Sequence, residues 1–167
     1  MRKMKTILCV CLCILLLSAC GKKAPIYVAP VNFYYCNQSV SYNSPTALVS
    51  SELRESSGFE GDIIKFMEEY LKGPVSDELY TVIPEKTELY TARIQDGTVL
   101  LDFSQEFARL SGIDLTTASV CIVKSLHEYT GVDTVVFRAD GALLDDKESF
   151  TLSLEDIVMM DTVTMDE

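Results

Sequence analysis

The chain has 167 residues, 48% hydrophobic and 23% charged, which is a globular composition and enough length for one ordinary domain plus an appendage. Its 25 acidic residues outweigh 14 basic ones for a formal charge of −11. That balance excludes nucleic-acid binding through a basic face. The single histidine excludes any site built on two imidazoles.

The first residues read as an address rather than as part of the fold. Met1-Arg2-Lys3-Met4-Lys5 is basic, and Ile7 to Leu17 is an unbroken run of 11 apolar residues. Such a run suits the hydrophobic region of a secretory signal and falls short of the ~20 residues that span a bilayer. Leu17-Ser18-Ala19-Cys20 follows, and then Gly21 with Lys22-Lys23. This quartet resembles the lipobox of bacterial lipoproteins. The resemblance implies that residues 1–19 are a cleaved signal peptide and that Cys20, acylated on its thiol, becomes the first mature residue. Two acyl chains suffice for stable retention, since each buried methylene contributes ~0.8 kcal/mol. An ordinary cleaved signal would put Leu17 where a small residue is wanted. A permanent anchor would have to continue past Lys22-Lys23.

Processing changes two counts. Only Cys36 and Cys121 remain in the mature body, either as one disulfide or as two small buried hydrophobes. The second reading is preferred, because sequence fixes no Cα separation. Loss of Arg2, Lys3 and Lys5 leaves 11 basic against 25 acidic side chains, a charge of −14. A body so acidic is repelled by anionic headgroups, with Lys22 and Lys23 the membrane-proximal exception. Residues 20–30 then form a short tether in which Pro25 and Pro30 disfavour helix, and ten extended residues reach at most ~35 Å.

Beyond the tether, Val31 to Cys36 (VNFYYC) is aromatic and β-branched and predicts a strand. Asn37 to Ser57 is polar and predicts a loop, with a turn near Leu48–Leu53. From Asp62, apolar residues at 63, 64, 66, 67, 70 and 71 predict an amphipathic helix stopped by Gly73-Pro74. After a second loop ending at Pro84, Glu88–Gln95 and Thr98–Phe103 flank Asp96-Gly97, a tight-turn dipeptide, and predict a hairpin. Asp102 at its exit reads as a solvated strand position, with hydrogen-bond acceptance the alternative. A second helix is predicted over Thr116–Thr130, with a stripe of Ala118, Cys121, Ile122, Leu126 and Tyr129 and with Gly131 as a left-handed cap. Thr134 to Arg138 predicts another strand turning at Asp140-Gly141, and the tail from Phe150 holds a last strand or short helix.

The order strand–helix–strand–strand–helix–strand suits a two-layer α+β sandwich. Two helices, each with one apolar stripe, cover one face of a small, mainly antiparallel sheet.

Several pieces in this order resemble the GerMN domain, a small extracytoplasmic module of spore germination and sporulation lipoproteins. They are the aromatic first strand, Leu53-Arg54, and Tyr70-Leu71-Lys72-Gly73-Pro74. Further on come Ile83-Pro84-Glu85-Lys86-Thr87, Ile94 to Val99, Leu101 to Phe107, and Val135 to Gly141. Lys86 departs from the glycine usual in that turn. The likeness places one copy over 31–144, leaves 145–167 as an acidic extension, and has no room for the second copy some members carry. It implies a fold like the ring-building motifs of secretion-like complexes and a role in assembling envelope proteins at the membrane, with no catalysis and no cofactor. Ring-type homo-oligomerisation is a further implication, opposed by the net charge unless that charge is asymmetric.

Other chemistries find no support. His127, beside Glu128 on the second helix, has no partner histidine for zinc and reads as a structural side chain. There is no Gly-x-Ser-x-Gly elbow for a serine hydrolase and no glycine-rich phosphate cradle. Asp145-Asp146-Lys147-Glu148, with Asp161, Asp166 and Glu167, lacks the calcium-loop pattern and reads as solvated charge. Glu68-Glu69 reads as outward-facing. The expected function is therefore a lipid-anchored, non-enzymatic module on the outer face of the cell membrane, held by acylated Cys20. The alternative is a cell-wall glycan or small-ligand binder, without tryptophan but with Tyr27, Tyr34, Tyr35 and Tyr42 near the amino end.

Overall fold

The computed structural model describes residues 30–39, 48–55 and 58–157. The signal segment, Cys20, Tyr27, Tyr42 and the tail acids Asp161, Asp166 and Glu167 lie outside the described residues.

The aromatic first strand, β1 (Val31–Asn37), pairs antiparallel with β2 (Val49–Arg54) on one side and briefly with β3 (Leu79–Tyr80) on the other. The predicted loop over 37–57 thus contains a strand. Its sequence VSSELR hid it, because only Val49 is buried and the rest carries no apolar alternation. The hairpin forms as predicted from β4 (Leu89–Gln95) and β5 (Thr98–Phe103), turning at Asp96-Gly97. Strand β6 (Thr134–Ala139) joins β5 in parallel, and β7 (Phe150–Ser153) closes the far edge antiparallel. The result is two sheets, β2-β1-β3 and β4-β5-β6-β7, with seven strands where four were expected in one sheet. The folded body also continues past 144, since β7 completes the second sheet.

The first helix, α1 (Ile63–Leu71), starts where Asp62 Oδ1 accepts the amides of Ile64 (3.0 Å) and Lys65 (3.2 Å), filling orphan donors of the first turn. It buries Ile63, Phe66, Met67 and Tyr70, whereas Ile64 is exposed. The second helix, α2 (Gly112–Thr130), begins one turn earlier than the apolar pattern showed. Its first amide, at Gly112, is held 3.2 Å from the carboxylate of Asp145, a distant residue that local sequence does not reveal. Asp145 is thus not merely solvated charge. Every predicted residue of the α2 stripe is buried, and Gly131 caps the helix with φ 70°.

The core among the described residues is one cluster that reaches both sheets. Phe33, Phe59, Phe66, Tyr70 and Tyr129 pack around β1, with Phe66 and Tyr129 stacked at 4.3 Å. Phe103, Phe107 and Phe137 pack beneath β5 and β6. The buried phenols find partners: Tyr35 donates to the Tyr70 carbonyl (2.9 Å), Tyr70 to that of Tyr34 (3.0 Å), and Tyr129 to that of Phe59. This α+β packing of two helices on mixed sheets is the ring-building-motif type of fold that the sequence implied.

Candidate functional site

Two of the motif pieces meet in space. Glu52 and Arg54 alternate onto the inner face of β2, beside Phe33 and Tyr35 of β1. The Arg54 guanidinium lies 4.9 Å from the Phe33 ring centroid. It donates through Nε to Glu52 (2.8 Å), through Nη1 to Glu69 (3.2 Å), and through Nη2 to the Gly73 carbonyl (2.6 Å). Glu52 in turn accepts the amides of Val75 (3.0 Å) and Ser76 (2.9 Å). Burial works against the Glu52 carboxylate, yet the Ser76 amide, Arg54 and the Val75 amide together hold its pKa below the usual range. Leu53-Arg54 and the Gly73-Pro74 helix end are therefore one structural joint. Arg54 has no spare donor geometry for a ligand, and Glu69, read as outward-facing, belongs to this joint and to an ion pair with Lys72 (2.5 Å).

The second sheet offers a surface instead. Val99, Leu101, Phe103, Val135, Phe137 and Ala139 fill its inner face. On the other face, Arg93, Leu100, Val136 and Thr151 form one cross-strand row, and Thr91, Asp102 and Arg138 the next. Leu100, Asp102 and Val136 are half-buried while Arg93 and Arg138 are exposed, and together they line a shallow hollow. Neither arginine enters an ion pair among the described residues. This face thus sets two aliphatic side chains beside two guanidinium groups that make no ion pair among the described residues. Sequence reasoning missed this surface. One outward-facing arginine in each of β4 and β6 was the signal, but only their pairing on either side of β5 brings the two together.

The other singled-out residues have structural employment. His127 Nδ1 stands 2.8 Å from an Asp133 oxygen at the end of α2, without the alignment of a hydrogen bond. Asp102 does accept a hydrogen bond, from the Asp140 amide at 3.1 Å, so it fastens the turn after β6. Tyr35 is buried, and Tyr34 is tied to Glu128 with Lys124 over its ring (4.6 Å), so neither serves as a sugar platform. Burial and Glu128 push the Tyr34 phenol up to about 12. Among the described residues, no cluster of three or more His, Cys, Asp or Glu side chains could hold a metal. No helix among them is long and apolar enough to cross a membrane.

Comparison with known proteins agrees with this picture. No curated protein matches the chain. Among solved structures, the tandem GerMN domains of the sporulation protein GerM from Bacillus subtilis match with 25% identity and a TM-score of 0.56, over 81% of this chain and 48% of that one. The first GerMN domain of the same protein matches with 24% identity and a TM-score of 0.49, over 70% of this chain and 86% of that one. The chain thus spans about half the length of the tandem structure. The family model described as Germane, sporulation and spore germination, matches residues 32–145. With that match over more than half its length, and with the two-helix, two-sheet fold to go with it, the chain belongs to the GerMN-type family of sporulation and spore germination domains.

Proposed function

We propose that this protein is a lipid-anchored, extracytoplasmic and non-enzymatic module that binds or assembles envelope proteins during sporulation or spore germination. Residues 1–19 act as the export signal, acylated Cys20 holds the chain on the outer face of the cell membrane, and residues 20–30 keep the body close to it. The observation that carries the binding role is the β4–β7 sheet face. It presents Arg93 and Arg138 around Leu100 and Val136 in an otherwise acidic molecule, which suits a partner with an acidic surface.

Two measurements test the reading. Cys20→Ser should abolish lipid labelling and release the protein from the membrane fraction, and unchanged retention would overturn the anchor. In-cell crosslinking and affinity purification from growing and sporulating cells should recover one stoichiometric envelope protein. The Arg93→Glu/Arg138→Glu double variant should lose it. Recovery with wall material alone, without a stoichiometric protein, would replace the assembly role by glycan binding.

A further inference from the structure

The two cysteines left in the mature body are far apart in sequence, yet they are brought together by a ladder of contacts between β1 and α2, which run antiparallel. Asn32 Nδ2 donates to Glu128 at 2.9 Å, and the Tyr34 amide donates to Ser125 Oγ at 2.9 Å. Ser125 Oγ donates onward to the Cys121 carbonyl at 2.8 Å. From that fixed point, Cys36 is two residues further along the strand and Cys121 four residues back along the helix. Two strand residues advance ~6.7 Å and four helical residues ~6 Å, so the ladder's next rung is Cys36 against Cys121. Both thiols are free and buried, and both line the same small hollow with Tyr35, Tyr70, Tyr80 and Ala118.

We propose that Cys36 and Cys121 close into a structural disulfide in the exported protein, bolting β1 to α2. The inference rests on the export proposed above, because thiols stay reduced in a mesophile's cytoplasm. Chemically, the oxidant is the disulfide of a thiol–disulfide exchange protein or of an oxidised low-molecular-weight thiol. Cys36, deprotonated, opens the exchange, since the thiolate is the nucleophile. The thiolate attacks one sulfur of the oxidant's disulfide, forming a mixed disulfide and expelling one oxidant thiolate. Cys121, deprotonated, then attacks Cys36 Sγ and expels the second. The protein loses two electrons and two protons, and the oxidant becomes a dithiol or, for the low-molecular-weight disulfide, two thiols. With 1% and 3% of the two residues exposed, exchange takes place before the fold closes, and the finished bond is sealed from reductants.

The test uses the mature chain from the membranes of its own bacterium, with thiols trapped by N-ethylmaleimide in acid-quenched cells and peptides mapped without reduction. Protease added to intact spheroplasts reports export in parallel. The expected result is a linked Cys36–Cys121 peptide pair in most molecules. Protein unfolded in reductant and refolded without the link should also melt about 10 °C lower. Alkylation of both cysteines in a protease-accessible chain overturns the disulfide and leaves export standing. A protease-protected chain overturns export, and refolding of the reduced protein in a glutathione buffer then decides the pair: a Cys36–Cys121 link sustains it, and free thiols overturn it.

Discussion

Lys86 holds a left-handed backbone conformation, the geometry that glycine adopts most freely. The Pro84–Thr87 turn closes by a 3.2 Å bond from the Thr87 amide to the Pro84 carbonyl, with Lys86 at φ 70° in the third position. A β-carbon there strains the backbone, while glycine adopts the conformation freely at the expense of unfolded-state entropy. Lys86→Gly should therefore stabilise the fold by about 0.5–1 kcal/mol, read from urea unfolding midpoints. Unchanged or lowered midpoints would show that the lysine side chain contributes more than the strain costs. Glu52 makes the complementary prediction. Its folded pKa lies below the ordinary 4.5, so its contribution is complete above that value and is lost as pH falls through the folded pKa. Glu52→Gln should be less stable than the parent at pH 7, and its stability should fall less steeply on acidification below pH 4.5. Parallel acid limbs in the two proteins would assign the loss to other carboxylates.

Between elements, the joint of β1 with α2 depends on one hydroxyl. Ser125 is fully buried and both accepts the Tyr34 amide and donates to the Cys121 carbonyl. Ser125→Ala should cost about 1–3 kcal/mol, because it leaves a strand amide without an acceptor in a dry interface. Amide hydrogen exchange at Tyr34 should accelerate more than at β5, and uniform acceleration would show that the hydroxyl supports the fold only in general. The Arg54 joint works in the same way at the other end of β1, where it fastens β2 to the carbonyls that end α1.

Across the whole molecule, the placement of charge matters more than its sum. Acidic residues outnumber basic ones, yet Arg93 and Arg138 stand on one sheet face without an ion pair among the described residues, making the surface asymmetric. Partner capture through that face should weaken as ionic strength rises from about 0.05 M to about 0.5 M, where the screening length shrinks from roughly 14 to roughly 4 Å. Capture insensitive to salt would move the interface to apolar surface elsewhere, such as the exposed Leu53 and Val75.

Local patterns in the sequence determined a large part of this protein. The 3.6-residue period and Asp62 define α1, the Asp96-Gly97 dipeptide defines the hairpin, and Gly131 defines the end of α2, because each is settled by neighbours within a turn or two. The motif pieces were equally readable, and they carried the family. What they do together was not, since Leu53-Arg54 and Gly73-Pro74 meet only once β2 pairs with β1. Strand β2 itself escaped notice because an edge strand with one buried residue shows no alternation. The early start of α2 depends on Asp145, and the meeting of Arg93 and Arg138 on one face depends on the pairing of β4 and β6 with β5. Such features are decided by tertiary structure alone, because hydrogen bonds and registers between distant segments leave no periodic trace in either segment.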